Sequence, residues 1–245
     1  MDRSAYERWW ELEKHFWRIG RRHILLELIE KHAPRGTNGG RRVLDIGGAC
    51  SILSQELARF GEVTMVEPDA PTAMFAKEKF GLDVRVGHLP NEMPVDGQFD
   101  IITLFDVIEH IEDDYAALSA VRELLRPGGL LVLTVPALML LWSDFDVANH
   151  HFRRYEKAGF RAVVERSGFS IERLSYFSSL LFPLVAVERV AQRVRGVKAV
   201  AEYEVKVPPR PLNEALLAVM EAERVLLRKM DMPIGSSLFA ICHRD

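Results

Sequence analysis

Two adjacent glycines, Gly47 and Gly48, follow the apolar run Val43-Leu44-Asp45-Ile46, and an acid, Glu67, closes the next such run, which begins at Val63. Small residues at the end of a buried strand let a ligand approach the backbone. An acid about twenty positions further on suits the ribose of a ligand lying across the carboxyl ends of a doubly wound sheet. A carboxylate only accepts, through two oxygens, so it matches two neighbouring hydroxyl donors. The dinucleotide pattern G-x-G-x-x-G does not fit: with its first glycine on Gly47, the second falls on Ala49 and the third on Ile52. The plain alternative is a Gly-Gly turn that only joins strand to helix. Asp69, just before Pro71, reads better as a helix cap than as a ligand.

A second set of residues could move protons. Asp106, Glu109 and His110 follow the apolar run Asp100 to Phe105, and His150 and His151 stand among Asp144, Asp146, Arg153, Arg154 and Tyr155. Histidine works as acid or base near neutral pH. Consecutive side chains diverge, so at most one of His150 and His151 is expected to face a reacting group, and His150 is the one expected. The bland reading of this segment is a structural cover, with Arg153 or Arg154 paired to Asp144 or Asp146. Glu109-His110 is one adjacent pair without further spaced ligands, so no metal site is expected.

The elements that must position these residues are legible from periodicity. Apolar residues recur at helical spacing from Tyr6 to His32, Trp9, Trp10, Phe16 and Ile24 among them, and the run stops at Pro34 and the Gly36 to Gly40 turn. Strand, turn and helix then alternate: Val43 to Ile46, Ile52 to Phe60, Val63 to Glu67, Pro71 to Phe80, Asp83 to Gly87, Asp100 to Phe105 and Asp113 to Leu125. Pro127-Gly128-Gly129 turns the chain into Leu130 to Val135, and Tyr155 to Ser167 and Phe169 to Phe177 continue the alternation. Such alternation predicts an α/β fold, a parallel sheet with helices on both faces. Pro183 to Val194 and Leu212 to Met230 are predicted helices. Three prolines between Val205 and Pro211 predict irregular chain there, and Ser237 to His243 reads as a closing strand. The expected organisation is one domain: residues 1–35 a helical cover, 36–179 the core, 180–233 a helical insertion placed like a lid or partner surface, and 234–245 the last strand.

Four segments in this order resemble the class I S-adenosylmethionine-dependent methyltransferases. VLDIGGACS (Val43 to Ser51) is similar to their Asp-x-Gly-x-Gly-x-Gly loop, with Ala49 and Ser51 in place of the later glycines. VEPDA (Val66 to Ala70), GHLPNEMP (Gly87 to Pro94), and FDIITLFDVIEHIEDD with LRPGGLLVLTVPA (Phe99 to Asp114 and Leu125 to Ala137) resemble the later signatures. HFWRIGRRHILLEL and VPALMLLWSDFDVANHHFRRY look like a bacterial small-molecule and lipid-type subgroup. The resemblance implies a doubly wound, Rossmann-like seven-stranded sheet, mostly parallel with an antiparallel last strand, plus N-terminal helices and a helical insertion before that strand. It implies S-adenosyl-L-methionine as cofactor, bound by Asp45, Gly47, Gly48, Ala49, Glu67, Pro68, His88, Leu89, Phe105 and Asp106. His88 stands where the family usually places an aspartate. His150, His151, Asp106 and His110 are the candidate catalytic residues.

The cofactor's methyl group is already activated, so positioning is the protein's main task, and holding reactants in line replaces up to roughly 7–11 kcal/mol of entropic barrier. A hydroxyl acceptor also needs a base. The expected reaction is methyl transfer to an oxygen of a small, lipid-linked or sugar-containing acceptor. The alternatives are transfer to nitrogen, a nicotinamide-dependent oxidoreductase, or a non-catalytic cofactor-binding protein. In 245 residues the 32 basic and 35 acidic side chains are well mixed, net charge -3, which argues against a nucleic-acid partner. Cys50 and Cys242 lie too far apart in sequence for a CxxC motif, which fits a reducing cytoplasm. The charged N-terminus contains no apolar core of a signal or membrane span, and the apolar stretch Leu174 to Val187 is interrupted by Pro183. Arg189, Arg193, Arg195 and Lys198 beside an apolar face suit a peripheral membrane contact or a lipid acceptor. A homodimer interface or an ordinary packed helix suits the same segment.

Overall fold

The computed structural model describes residues 10–34, 40–49, 51–195 and 206–245. Cys50, Trp9 and Lys198 lie outside them, as do the side chains of Arg193 and Arg195. Helix α1 (Phe16–His32) starts where the His15 ring accepts from Trp17 N–H and ends before Pro34, burying Ile24, Leu25, Leu28 and Ile29. The core alternates as expected: β1 (Arg42–Ile46), α2 (Ile52–Glu56), β2 (Glu62–Glu67), α3 (Ala70–Phe80), β3 (Asp83–Val86), β4 (Phe99–Phe105), α4 (Asp114–Leu124) and β5 (Leu125–Pro136). Next come α5 (Asp144–Ala148), α6 (Lys157–Arg166), β6 (Phe169–Phe177), α7 (Phe182–Arg195), α8 (Arg210–Leu227) and β7 (Ser237–Arg244). The seven strands form one sheet in the order β3-β2-β1-β4-β5-β7-β6. The β1, β2, β3, β4 and β5 pairings are parallel, and β7 runs antiparallel to both β5 and β6. Strands covered on both faces read as unbroken apolar runs, and Val43, Leu44, Ile101, Ile102, Leu131 and Val132 have no exposed surface.

Three local details differ from the sequence reading. Pro127-Gly128-Gly129 does not precede β5 but bulges within it: Leu125 pairs with Phe99 and Leu130 with Ile101, and Gly128 supplies the positive φ, 70°, that the bulge needs. The prolines near residue 210 do not hold off α8; the helix begins at Arg210 with Pro211 in its first turn, where a missing N–H costs nothing. The insertion is also more firmly attached than a lid. A Cβ on Gly20 of α1 would stand 2.5 Å from the Met220 Cβ of α8, so glycine is what lets the two helices approach. Glu27 binds Arg224 and Arg228, and His23 binds Glu221, across the same contact. The fully buried Glu223 accepts from the backbone N–H groups of Ser179 and Leu180 at 2.7 and 2.9 Å, fixing the exit of β6. Among the described residues no helix is long and apolar enough to cross a membrane.

Candidate functional site

The loops at the carboxyl ends of β1, β2, β4 and β5 meet at one edge of the sheet. Asp45 in β1 pairs in register with Thr103 of β4, and its carboxylate accepts from Thr103 Oγ1 at 2.6 Å and Ser54 Oγ at 2.5 Å. It is 1% exposed, and burial raises its pKa against those two hydroxyls. With both oxygens engaged, Asp45 shapes the turn from beneath. Gly48 lies over it: a Cβ there would overlap the Asp45 carboxylate and Ser54 Oγ. Gly47 has φ 71° and donates to the Val66 carbonyl at 2.8 Å, tying the turn to β2. Ala49, which replaces a glycine of the resembling pattern, also has positive φ, 48°. That conformation costs an L-residue about 1–2 kcal/mol, so the turn is held from outside.

Glu67 is what holds it. Its Oε2 accepts from Ala49 N–H at 3.1 Å and its Oε1 from Asp69 N–H at 3.2 Å. Each oxygen keeps a further lone pair for another donor. Burial, joined by the Asp69 and Asp45 charges, raises the Glu67 pKa, while the two N–H groups oppose the shift. Asp69 caps α3, accepting from Thr72 N–H at 3.0 Å, and Pro68 stands exposed between the two acids. Gly87 N–H donates to the Glu67 carbonyl, so the loop carrying His88 begins beside this carboxylate. His88 is exposed, 3.3 Å from Glu92, whereas Leu89 is buried in the core.

At the end of β4, half-buried Phe105 precedes Asp106, whose φ is 58°. Arg21 of α1 donates from one nitrogen to Asp106 Oδ2 at 2.7 Å and to Thr134 Oγ1 at 2.8 Å, and Thr134 Oγ1 donates to Asp106 Oδ1 at 3.0 Å. The Arg21 guanidinium also lies 5.0 Å from the Trp17 ring centre and 5.9 Å from that of Phe105. Neither Arg21 nor Thr134 stood out in the sequence. An arginine in a helix and a threonine in a strand carry no local signal of meeting.

The third group is Glu109, His110 and His151. Glu109 is fully buried and neither carboxylate oxygen has a hydrogen-bond partner; burial, then the Asp106 charge, holds its pKa well above the carboxylate range. The His110 and His151 rings meet edge to face, 4.6 Å between centres at 86°. Although His110 keeps an exposed edge, burial of its ring, helped by His151, lowers its pKa to about 4. His151 Nδ1 is 3.0 Å from Asp146 Oδ1, and Arg154 Nε donates to the same oxygen at 2.7 Å. Asp146 also closes a capping box with Ser143, and His151 and Arg154 keep its pKa low against its burial. The Arg154 pairing expected of a structural cover is therefore present, while Arg153 pairs with Asp114. The loop turns His151, not His150, toward Glu109 and His110. His150 is exposed at φ 57°, and that left-handed residue sends the two imidazoles in different directions.

The strand order, the glycine turn after β1 and the acid ending β2 match the fold implied by the resemblance to the class I S-adenosylmethionine-dependent methyltransferases. A family model described as a methyltransferase domain matches residues 16–174, and the chain belongs to that family. Curated relatives include the ubiquinone biosynthesis O-methyltransferase of Ruegeria pomeroyi, 28% identical over 184 residues, which are 64% of this chain and 74% of the relative. The enzyme of the same name from Cereibacter sphaeroides is 31% identical over 185 residues, again 64% and 74%. Among solved structures, a TehB-like S-adenosylmethionine-dependent methyltransferase from Corynebacterium glutamicum superposes with a TM-score of 0.53 at 18% identity, covering 92% of this chain and 88% of that one. A methyltransferase from Mesorhizobium loti gives 0.56 at 15%, covering 90% and 98%. At such identities the structural likeness shows the fold alone. The nicotinamide reading is set aside. The residues present fit S-adenosylmethionine: beside the Gly47-Gly48 turn, each oxygen of Glu67 keeps acceptor capacity for a ribose hydroxyl.

Proposed function

We propose that this chain transfers the methyl group of S-adenosylmethionine to a hydroxyl oxygen of a small or lipid-like acceptor. The observation that carries the reading is Glu67, fixed by two backbone N–H groups with one lone pair left on each oxygen, at the edge where the Gly47-Gly48 turn opens. The curated relatives are named O-methyltransferases, which supports oxygen over nitrogen. The cofactor supplies a methyl group on a sulfonium, already activated for displacement. The protein's own work is binding and alignment. Glu67 takes the ribose hydroxyls, the turn from Gly47 to Ala49 approaches the methionine part, and the loop beginning at His88 and Leu89 borders the adenine. Asp106 braces the floor through its bonds to Arg21 and Thr134. His151, and not the exposed His150, stands with Glu109 and His110 just after β4. The described residues between 40 and 179 form the catalytic core, with the described parts of segments 1–35 and 180–233 covering it.

On α7, Leu184, Val187 and Val190 are 59%, 67% and 57% exposed at helical spacing, which supports peripheral contact with a membrane that holds an apolar acceptor. The same face would serve a homodimer. We place the reaction in the cytoplasm. The deciding experiment supplies methyl-labelled S-adenosylmethionine with phenols, sugar hydroxyls and amines. Label appearing on oxygen supports the reading, label on nitrogen alone overturns the choice of atom, and no transfer to any class overturns the reaction. Vesicle flotation of the wild type and Val187→Asp, with sedimentation of both, separates membrane contact from dimer formation.

A further inference from the structure

We propose that Glu109, His110 and His151 bind a divalent transition-metal ion whose open coordination position takes the acceptor oxygen. One donor atom from each residue lies within 4.8 Å of the other two. Around an ion with bonds of about 2.0–2.2 Å, tetrahedral ligands sit about 3.4 Å apart, so a small rotation of either ring closes the site. Glu109 is the independent witness. Its carboxylate has no exposed surface and neither oxygen has a partner, an arrangement that costs free energy unless something else satisfies it.

The histidines are held as metal-binding imidazoles are. A ligating histidine gives its second ring nitrogen to a carboxylate or a carbonyl, which sets tautomer and orientation. His151 gives Nδ1 to Asp146, and His110 hydrogen-bonds the Asn149 backbone carbonyl. Each keeps one nitrogen for a cation. Asp146 is itself immobilised by Ser143 and Arg154, so the ring it steers is fixed from behind. One carboxylate and two imidazoles form a donor set for zinc, iron, cobalt or manganese that leaves positions open. His110 has an exposed edge, which gives the ion a way in. The ion's catalytic part rests on the oxygen-transfer reading: it would lower the pKa of a bound acceptor hydroxyl, whose proton passes to solvent, leaving an oxygen nucleophile in place without a side-chain base.

The test titrates chelator-treated full-length protein with Zn²⁺ by calorimetry and with Co²⁺ by its visible absorption. The expected result is one site per chain, with affinity falling at least tenfold in Glu109→Gln, His110→Ala and His151→Ala and unchanged in His150→Ala. Thermal unfolding without metal checks that each variant folds. Absence of saturable binding by the folded wild type, or wild-type affinity in the three variants, overturns the site. Labelled-methyl transfer is then measured with chelator and with Zn²⁺ restored. Loss and recovery support acceptor ligation, and full turnover in chelator overturns it while leaving methyl transfer intact. Failure of the methyl-transfer reading would show instead as metal binding with no transfer under any condition.

Discussion

Arg21, in the first described helix, reaches Asp106 at the end of β4 with 2.7 Å between Nη2 and Oδ2, and through that bond the N-terminal cover is fastened to the edge that carries the site. Both side chains are mostly buried, so removing one leaves the other short of a partner. Arg21→Ala is expected to lower the unfolding free energy by about 1–3 kcal/mol. In a chain of this size that lowers the melting temperature by several degrees. Arg21→Lys should recover only part, since an ammonium lacks the planar fork. Equal denaturation midpoints for all three proteins would mean that the bond fastens nothing.

Glu67→Ala is expected to weaken S-adenosylmethionine binding at least about tenfold, because two hydrogen bonds to a charged acceptor are lost. Asp69→Ala provides the comparison. It removes the cap of α3, costs about 1 kcal/mol of stability, and should leave cofactor affinity near the wild-type value. Calorimetry on both variants distinguishes ligand from cap.

The raised pKa of Glu67 gives that binding a pH dependence. The ionised carboxylate accepts from the ribose, so protonation competes with the cofactor, and affinity falls on acidification at a pH above the ordinary glutamate value of 4.5. Glu67→Gln should bind weakly and without that pH dependence. A wild-type profile still flat down to pH 4.5 would be incompatible with the assigned contact.

Burial raises the pKa of Glu223 as well, against the N–H groups of Leu180, Ser179 and Ser178. Between 4.5 and its folded value the native chain keeps a proton that the unfolded chain has released, so this group's contribution to stability declines as pH rises through that window. Glu223→Gln should flatten the fall. Urea titrations across pH 4 to 8 would show whether the two slopes differ.

Gly48→Ala places a methyl group into the Asp45 carboxylate and Ser54 Oγ, so the turn must open. Cofactor binding is expected to be lost, with an overpacking cost in stability of about 1–3 kcal/mol or more. Gly81→Ala meets nothing within 4 Å and only strains a φ of 67°, about 1–2 kcal/mol, so binding should survive. Retained binding in Gly48→Ala would show that the turn tolerates a side chain.

The order of strands and helices, the Gly47-Gly48 turn and the acid closing β2 were all readable in the linear chain, because each depends on a short window: an apolar run, a residue without a Cβ, a charge at a strand end. Asp69 as the cap of α3 was readable for the same reason. The closing strand was readable too, as a short apolar run, although β7 does not alternate but is buried on both faces from Ser237 to Cys242, between β5 and β6. Tertiary structure alone decided that Arg21 meets Asp106, that α8 lies on α1 at Gly20 and Met220, and that His151 joins Glu109 and His110 while its neighbour His150 faces solvent. Periodicity reports which side of an element is apolar. Polar partners on separate loops are chosen later, when the sheet has fixed the loop ends and one residue with positive φ decides which imidazole turns inward.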